Sequence, residues 1–117
     1  RADMVARGQT SLISRLLDVV DDLERFAHHS DPTTPTITLL QGAEMVERKL
    51  KAVHEGAGLE TIDPKDSKFD PQTMEAVASV PVDSAHEDDT VSDVFQKGYR
   101  FNGVLVRPAR VRVRKHD

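Results

Sequence analysis

An α+β protein in two parts is what this sequence predicts, helical over residues 1–58 and a compact β domain over residues 59–117. Three observations predict it. Apolar residues recur at steps of 4, 3, 4, 3 twice within the first half, the repeat of a helix with one oily stripe. The helical period stops at the glycines Gly56 and Gly58. Near the end, Asn102-Gly103 sits between runs rich in β-branched and aromatic residues, the strongest short-range signal for a tight hairpin.

The first helix is anchored over residues 12–27. Leu12, Leu16, Val19, Leu23 and Phe26 form one apolar series, and Ile13, Leu17, Val20 and Ala27 run beside it. Residues 1–10 carry Gly8, Gln9 and Thr10 where the stripe would continue, so they are expected to extend the helix into solvent. The Asp31-Pro32 step and the Pro/Thr cluster to Thr36 end it. A second helix is expected from Thr38, which has capping-box spacing to Gln41. Its seam is Leu39, Ala43, Val46, Leu50 and Val53, with Glu44–Arg48 and Glu47–Lys51 as i,i+4 pairs on the outer side. Two helices joined by so short a connection fold back as an antiparallel pair. A lone hairpin cannot bury a double-width stripe. A dimeric four-helix bundle is therefore expected, the alternative being that the helices pack on the chain's own sheet, with Leu12, Leu16, Val19, Leu23, Leu39, Val46, Leu50 and Val53 expected at the dimer contact.

From Leu59 the reading is a small, mostly antiparallel β domain. Leu59 and Ile62 precede Asp63-Pro64, and Lys65 to Lys68 is a polar loop. Phe69-Asp70-Pro71 supplies an anchoring aromatic, an N-cap and a proline opening one helical turn. Strands are expected over Ala76–Val82 and Thr90–Tyr99, with an acidic loop over 83–90 between them and the hairpin after them. In the last strand Val111 and Val113 face one way while Arg110, Arg112 and Arg114 face the other, so the valines belong to the core.

Composition narrows the function classes. Lys plus Arg number 16 against 20 Asp plus Glu, a formal charge of −4 that argues against general nucleic-acid binding. The basic strand also lacks interleaved aromatics for base stacking. The absence of cysteine removes disulfides, thiolate chemistry and cysteine-based zinc sites. His28 and His29 stand about 100° apart on a helix, unsuited to chelating one ion, and His54 and His86 have no partner at metal-ligand spacing. Asp21, Asp22 and Glu24 read as a solvated helix face beside Arg25 rather than an acid–base pair. No apolar run reaches the roughly 20 residues of a bilayer span. No enzyme, cofactor, metal or membrane is therefore expected. The chain opens on Arg1, so a start within a longer protein is expected.

One spaced pattern goes further. Phe69-Asp70-Pro71, Met74, Ala76-Val77, Gly98-Tyr99, Gly103, Val106-Arg107, Ala109, Val111 and Val113, together with Leu16 to Arg25, resemble the GrpE family, nucleotide exchange factors of DnaK-type heat-shock chaperones. The resemblance spans essentially the whole chain. It implies a homodimer with a β domain held out as a wing, which binds the chaperone's ATPase domain, opens its nucleotide cleft and speeds ADP release. It also implies a cytoplasmic location, or the mitochondrial matrix as the alternative. The chaperone contact it implies lies on Val94, Phe95, Gln96 and Lys97 and on Asn102, Val104 and Arg107, with Arg107 equally open to an ion pair with Asp93 or another acid across the sheet. Gly98 and Gly103 are assigned to backbone geometry. Two departures stand out: most of the family's long helical stalk and its leader are absent, and His28 falls where the family often has an acid.

Overall fold

A computed structural model describes residues 1–117, which divide into a helical unit, Arg1–Ala57, and a β unit, Gly58–Asp117. In the first, α1 runs Ala2–His29 and α2 runs Thr36–Ala57, packed together as a hairpin. The weakly patterned residues 2–10 are helical, as expected, with every side chain exposed. The connection is a built turn. Ser30 Oγ donates to the Phe26 carbonyl at 2.7 Å, and the Asp31 carboxylate accepts from the Thr33 amide at 2.7 Å. Those threonine hydrogen bonds, with Thr33 first, lower the pKa of Asp31.

Helix α2 starts two residues ahead of expectation. The Pro35 carbonyl accepts the amides of Thr38 and Leu39, at 3.0 and 3.2 Å, which places Thr38 inside the first turn and not at its cap. A proline suits a helix start because it has no amide to satisfy there. At the other end Gly56 is still helical, and Gly58 makes the stop with φ +107°.

The two helices pack together, and the apolar side chains wholly or partly covered are Leu12, Leu16, Val19 and Phe26 on α1 and Leu39, Val46, Leu50 and Val53 on α2. Val19, at 5% exposure, is the only buried side chain of α1, and α2 has none. Of the side chains expected at a dimer contact, only Leu23 is exposed; Leu12, Leu16, Val19, Leu39, Val46, Leu50 and Val53 are wholly or partly covered within the chain itself. The physical reason is that α1 carries two parallel apolar series, and a hairpin turns one of them to its own second helix. The series left open is Ile13, Leu17, Val20 and Leu23, with Ile37, Leu40 and Met45 on α2.

The β unit holds two three-stranded sheets. One has the order β1-β4-β5 (Leu59–Ile62, Gly98–Phe101, Val104–Arg107). The other has the order β2-β6-β3 (Met74–Pro81, Ala109–Lys115, Val91–Gln96). Three pairings are antiparallel and one, β2 with β6, is parallel. Two expected strands each divide. Thr90–Tyr99 breaks at Lys97, and the strand expected after the Asn102-Gly103 turn breaks at Pro108, and in each case the halves lie in different sheets. Proline has no ladder donor, which accounts for the second break. The core is Val91, Ala109, Val111 and Val113 with Ile62 and Met74, against which Phe69 and Val94 pack. Alternation along β6 is as expected, valines inward. The Asp70 carboxylate accepts the Gln72 amide at 2.9 Å, and the Asp70 carbonyl accepts that of Met74, giving the single turn after Phe69.

Candidate functional site

The outward arginines of β6 are the first surface to examine, because free guanidinium groups in a row would suit phosphate. Each has its own acid. Arg110 lies 3.5 Å from Glu75 on β2, Arg112 lies 3.3 Å from Asp93 on β3, and Arg114 lies 2.8 Å from Asp66. Lys115 pairs with Asp89 at 3.0 Å, and Asp88 accepts the His116 amide at 2.8 Å, which lowers the Asp88 pKa. This face is a zipper of paired charges that ties β6 to its neighbours, and it leaves no arginine of β6 unpaired.

The β4–β5 hairpin differs. Asn102 and Gly103, with φ of 49° and 80°, make a type I′ turn, the one whose twist fits a two-residue hairpin. Phe101 pairs with Val104 and Arg100 with Leu105; a register shift then brings Arg107 opposite Tyr99. Arg107 lies over the Tyr99 ring, 5.1 Å from its centroid, and its Nε donates to the Lys97 carbonyl at 3.1 Å. It does not pair with Asp93, which Arg112 takes. Every residue of β5 is exposed, Val104 at 69% and Val106 at 60%.

The remaining expected contact residues fall on β3 and just after it. Phe95 is exposed, with the Arg112 guanidinium 5.1 Å from its ring centre. Gln96 is half-buried, and Lys97 is exposed and lies 3.8 Å from Asp63. Val94 faces the other way and packs on the core, as alternation along a strand requires. An open groove of about 360 Å³ is lined by Asp63, Lys65, Asp93, Val94, Phe95 and Lys97. Gln96, Asn102, Val104 and Arg107 do not line it, although Arg107 reaches the backbone of Lys97 at its rim. Phe101 and Leu105 were not singled out from sequence, and Val106 only as part of the family pattern and not as a contact. Val104-Leu105-Val106 is apolar without alternation, so no face could be read from it.

No group of three or more histidine or acidic side chains is placed to hold a metal ion, and no helix is long and apolar enough to cross a membrane. What the fold presents is a helical hairpin with a spare apolar stripe and a two-sheet β unit with an exposed apolar hairpin, the features of a protein that works by surface contact. The GrpE family model matches residues 1–115, and the chain belongs to the GrpE family. Protein GrpE of Francisella philomiragia is 39% identical over 109 residues, covering 93% of this chain and 56% of that relative. Protein GrpE of Francisella tularensis is 38% identical over 109 residues, again 93% of this chain and 55% of the relative. The chain thus spans about half the length of the curated relatives it matches.

Proposed function

We propose that this chain is a co-chaperone without catalytic chemistry, a homodimer that binds the ATPase domain of a DnaK-type chaperone and accelerates ADP release. The observation that carries the reading is the family match over residues 1–115, helical hairpin and β unit together. The cytoplasm is the proposed place of action, with the mitochondrial matrix as the alternative. Homodimerisation gives the open stripe on α1 and α2 a partner of the same pattern.

The physics needs no bond made or broken. A protein that binds the open form of an ATPase domain better than the closed form shifts the population toward open. ADP prefers the closed form, so by reciprocity it binds less tightly while the factor is attached. Turning an open state populated at about 1% into one at about 99% takes about 5.5 kcal/mol of differential affinity. A few well-packed apolar anchors reach that magnitude. Phe95 beside the Asp63–Lys97 groove, and Val104 and Arg107 on the hairpin, are the proposed anchors.

The test is release of labelled ADP from a DnaK-type ATPase domain, with and without this chain. Acceleration that saturates with chain concentration supports the exchange factor. An unchanged rate reduces the protein to a dimerisation module.

A further inference from the structure

The hairpin strand β5 has β4 on one side and no strand on the other. The remaining outer strands of the β unit are guarded. β2 ends in Pro81, β3 carries Asp93 and two register shifts, and β1 carries Glu60. Over Gly98–Arg107 there is no acid at all. Arg100 and Arg107 have no carboxylate within ion-pair distance, while all three arginines of β6 and the lysines Lys97 and Lys115 do.

In a type I′ hairpin the residues flanking the turn exchange the first pair of hydrogen bonds, so Phe101 and Val104 bond each other. Leu105, next along, then turns its amide and carbonyl to the open side. The register shift at Val106 ends the regular edge, so an added strand could pair over only about three residues. The rest of its hold must come from side chains, apolar groups on Phe101 and Val104 and a carboxylate on Arg107. A second copy of this strand does not meet that need, because it offers another arginine and no acid.

We infer that the free edge of β5 receives a short extended segment of a partner protein, apolar at alternate positions and carrying a carboxylate that pairs with Arg107. This rests on the reading that the β unit holds the partner contact, and it specifies the mode and chemistry of that contact as strand addition.

The experiment uses the full chain and a fluorescent octapeptide of alternating valine and threonine ending in two glutamates. Two companions are a version ending in two lysines and a version N-methylated at alternate amides. Anisotropy is expected to show the glutamate peptide binding at least tenfold tighter than either companion. Arg107→Gln should erase the glutamate-over-lysine preference, and Val104→Lys should weaken binding about tenfold. The N-methylated peptide tests strand pairing without altering the protein, so a misfolded variant cannot mask the answer. Equal binding of the methylated and unmethylated peptides, or of the acidic and basic ones, overturns the inference, as does self-association through β5 that no peptide displaces. ADP release measured on the same preparation separates the two readings: acceleration with failed peptide arms refutes strand addition alone. Strand addition without acceleration refutes the exchange activity alone.

Discussion

At the scale of single residues, two glycines show how the same atom count gives different outcomes. A Cβ on Gly98 would lie 2.5 Å from the Ala109 amide nitrogen and 2.9 Å from the Pro108 carbonyl carbon, both backbone. That close approach is where β4 passes β6, and a side chain would force the strands apart. A Cβ on Gly42 would lie 2.4 Å from the Phe26 ring, an obstacle that can swing on its own bonds. Gly98→Ala should therefore cost about 1–3 kcal/mol or more as an overpacking change. Gly42→Ala recovers about 1 kcal/mol of helix propensity, which offsets much of its ring displacement. Urea melts of the two variants should rank them in that order; a harmless Gly98→Ala would contradict the geometry. Phe95 supplies a different kind of test. It is 52% exposed, so Phe95→Ala should leave the melt of the β unit within about 0.5 kcal/mol while weakening binding to the ATPase domain by tenfold or more. Loss of the fold instead would move Phe95 into the core.

Elements reveal what could and could not be read from one dimension. The alternation in β6, the turn at Asn102-Gly103 and the helical stripes were legible because each follows from a local period or a local dihedral requirement. The breaks at Lys97 and Pro108 were not, because Thr90–Tyr99 and the run after the Asn102-Gly103 turn read as unbroken strands until the two sheets are seen to share them. Nor could the sequence say which of two equivalent stripes on α1 faces α2. That choice matters for mutagenesis. Leu50 lies in the intrachain seam and Leu17 on the open stripe, so Leu50→Asp should unfold the hairpin, whereas Leu17→Asp should leave it helical and reduce a dimer to a monomer. Sedimentation together with circular dichroism distinguishes the two; a dimer persisting in Leu17→Asp would place the partner elsewhere. The seam also contains a charge clamp. Lys49 Nζ lies 2.6 Å from Asp22, which Arg25 contacts as well, and the hydrogen bond from Lys49 is the first cause of a lowered Asp22 pKa. A carboxylate with a lowered folded pKa contributes stability that is complete above its unfolded value, about pH 4, and is lost as the pH falls through the lowered one. Hairpin stability should thus fall on acidification below about pH 4, and Asp22→Asn should flatten that part of the profile. An unchanged slope in the variant would assign the acid sensitivity to another carboxylate, Asp31 being the one in the helical unit with the same direction of shift.

For the whole molecule, the two units differ in what holds them. The β unit has a core of side chains at or near zero exposure, Val91, Ala109, Val111 and Val113, wrapped by its own strands. Such a core is complete within one chain. The helical unit buries a single side chain, Val19, and leaves a leucine, isoleucine and valine stripe in water. Two-helix hairpins of this kind seldom bury enough apolar area to offset the entropy of ordering their residues. If a second chain supplies the missing area, the stability of this half depends on protein concentration by mass action, while that of the β unit does not. The chain carries its own reporters for the comparison. Tyr99 is the only tyrosine and there is no tryptophan, so intrinsic fluorescence follows the β unit; ellipticity at the helical band is dominated by α1 and α2. Melts over a hundredfold range of concentration should therefore show the ellipticity midpoint rising by several degrees while the fluorescence midpoint stays in place. Midpoints that moved together would mean the units unfold as one. An ellipticity midpoint independent of concentration would mean the hairpin stands alone, and the homodimer would have to be abandoned.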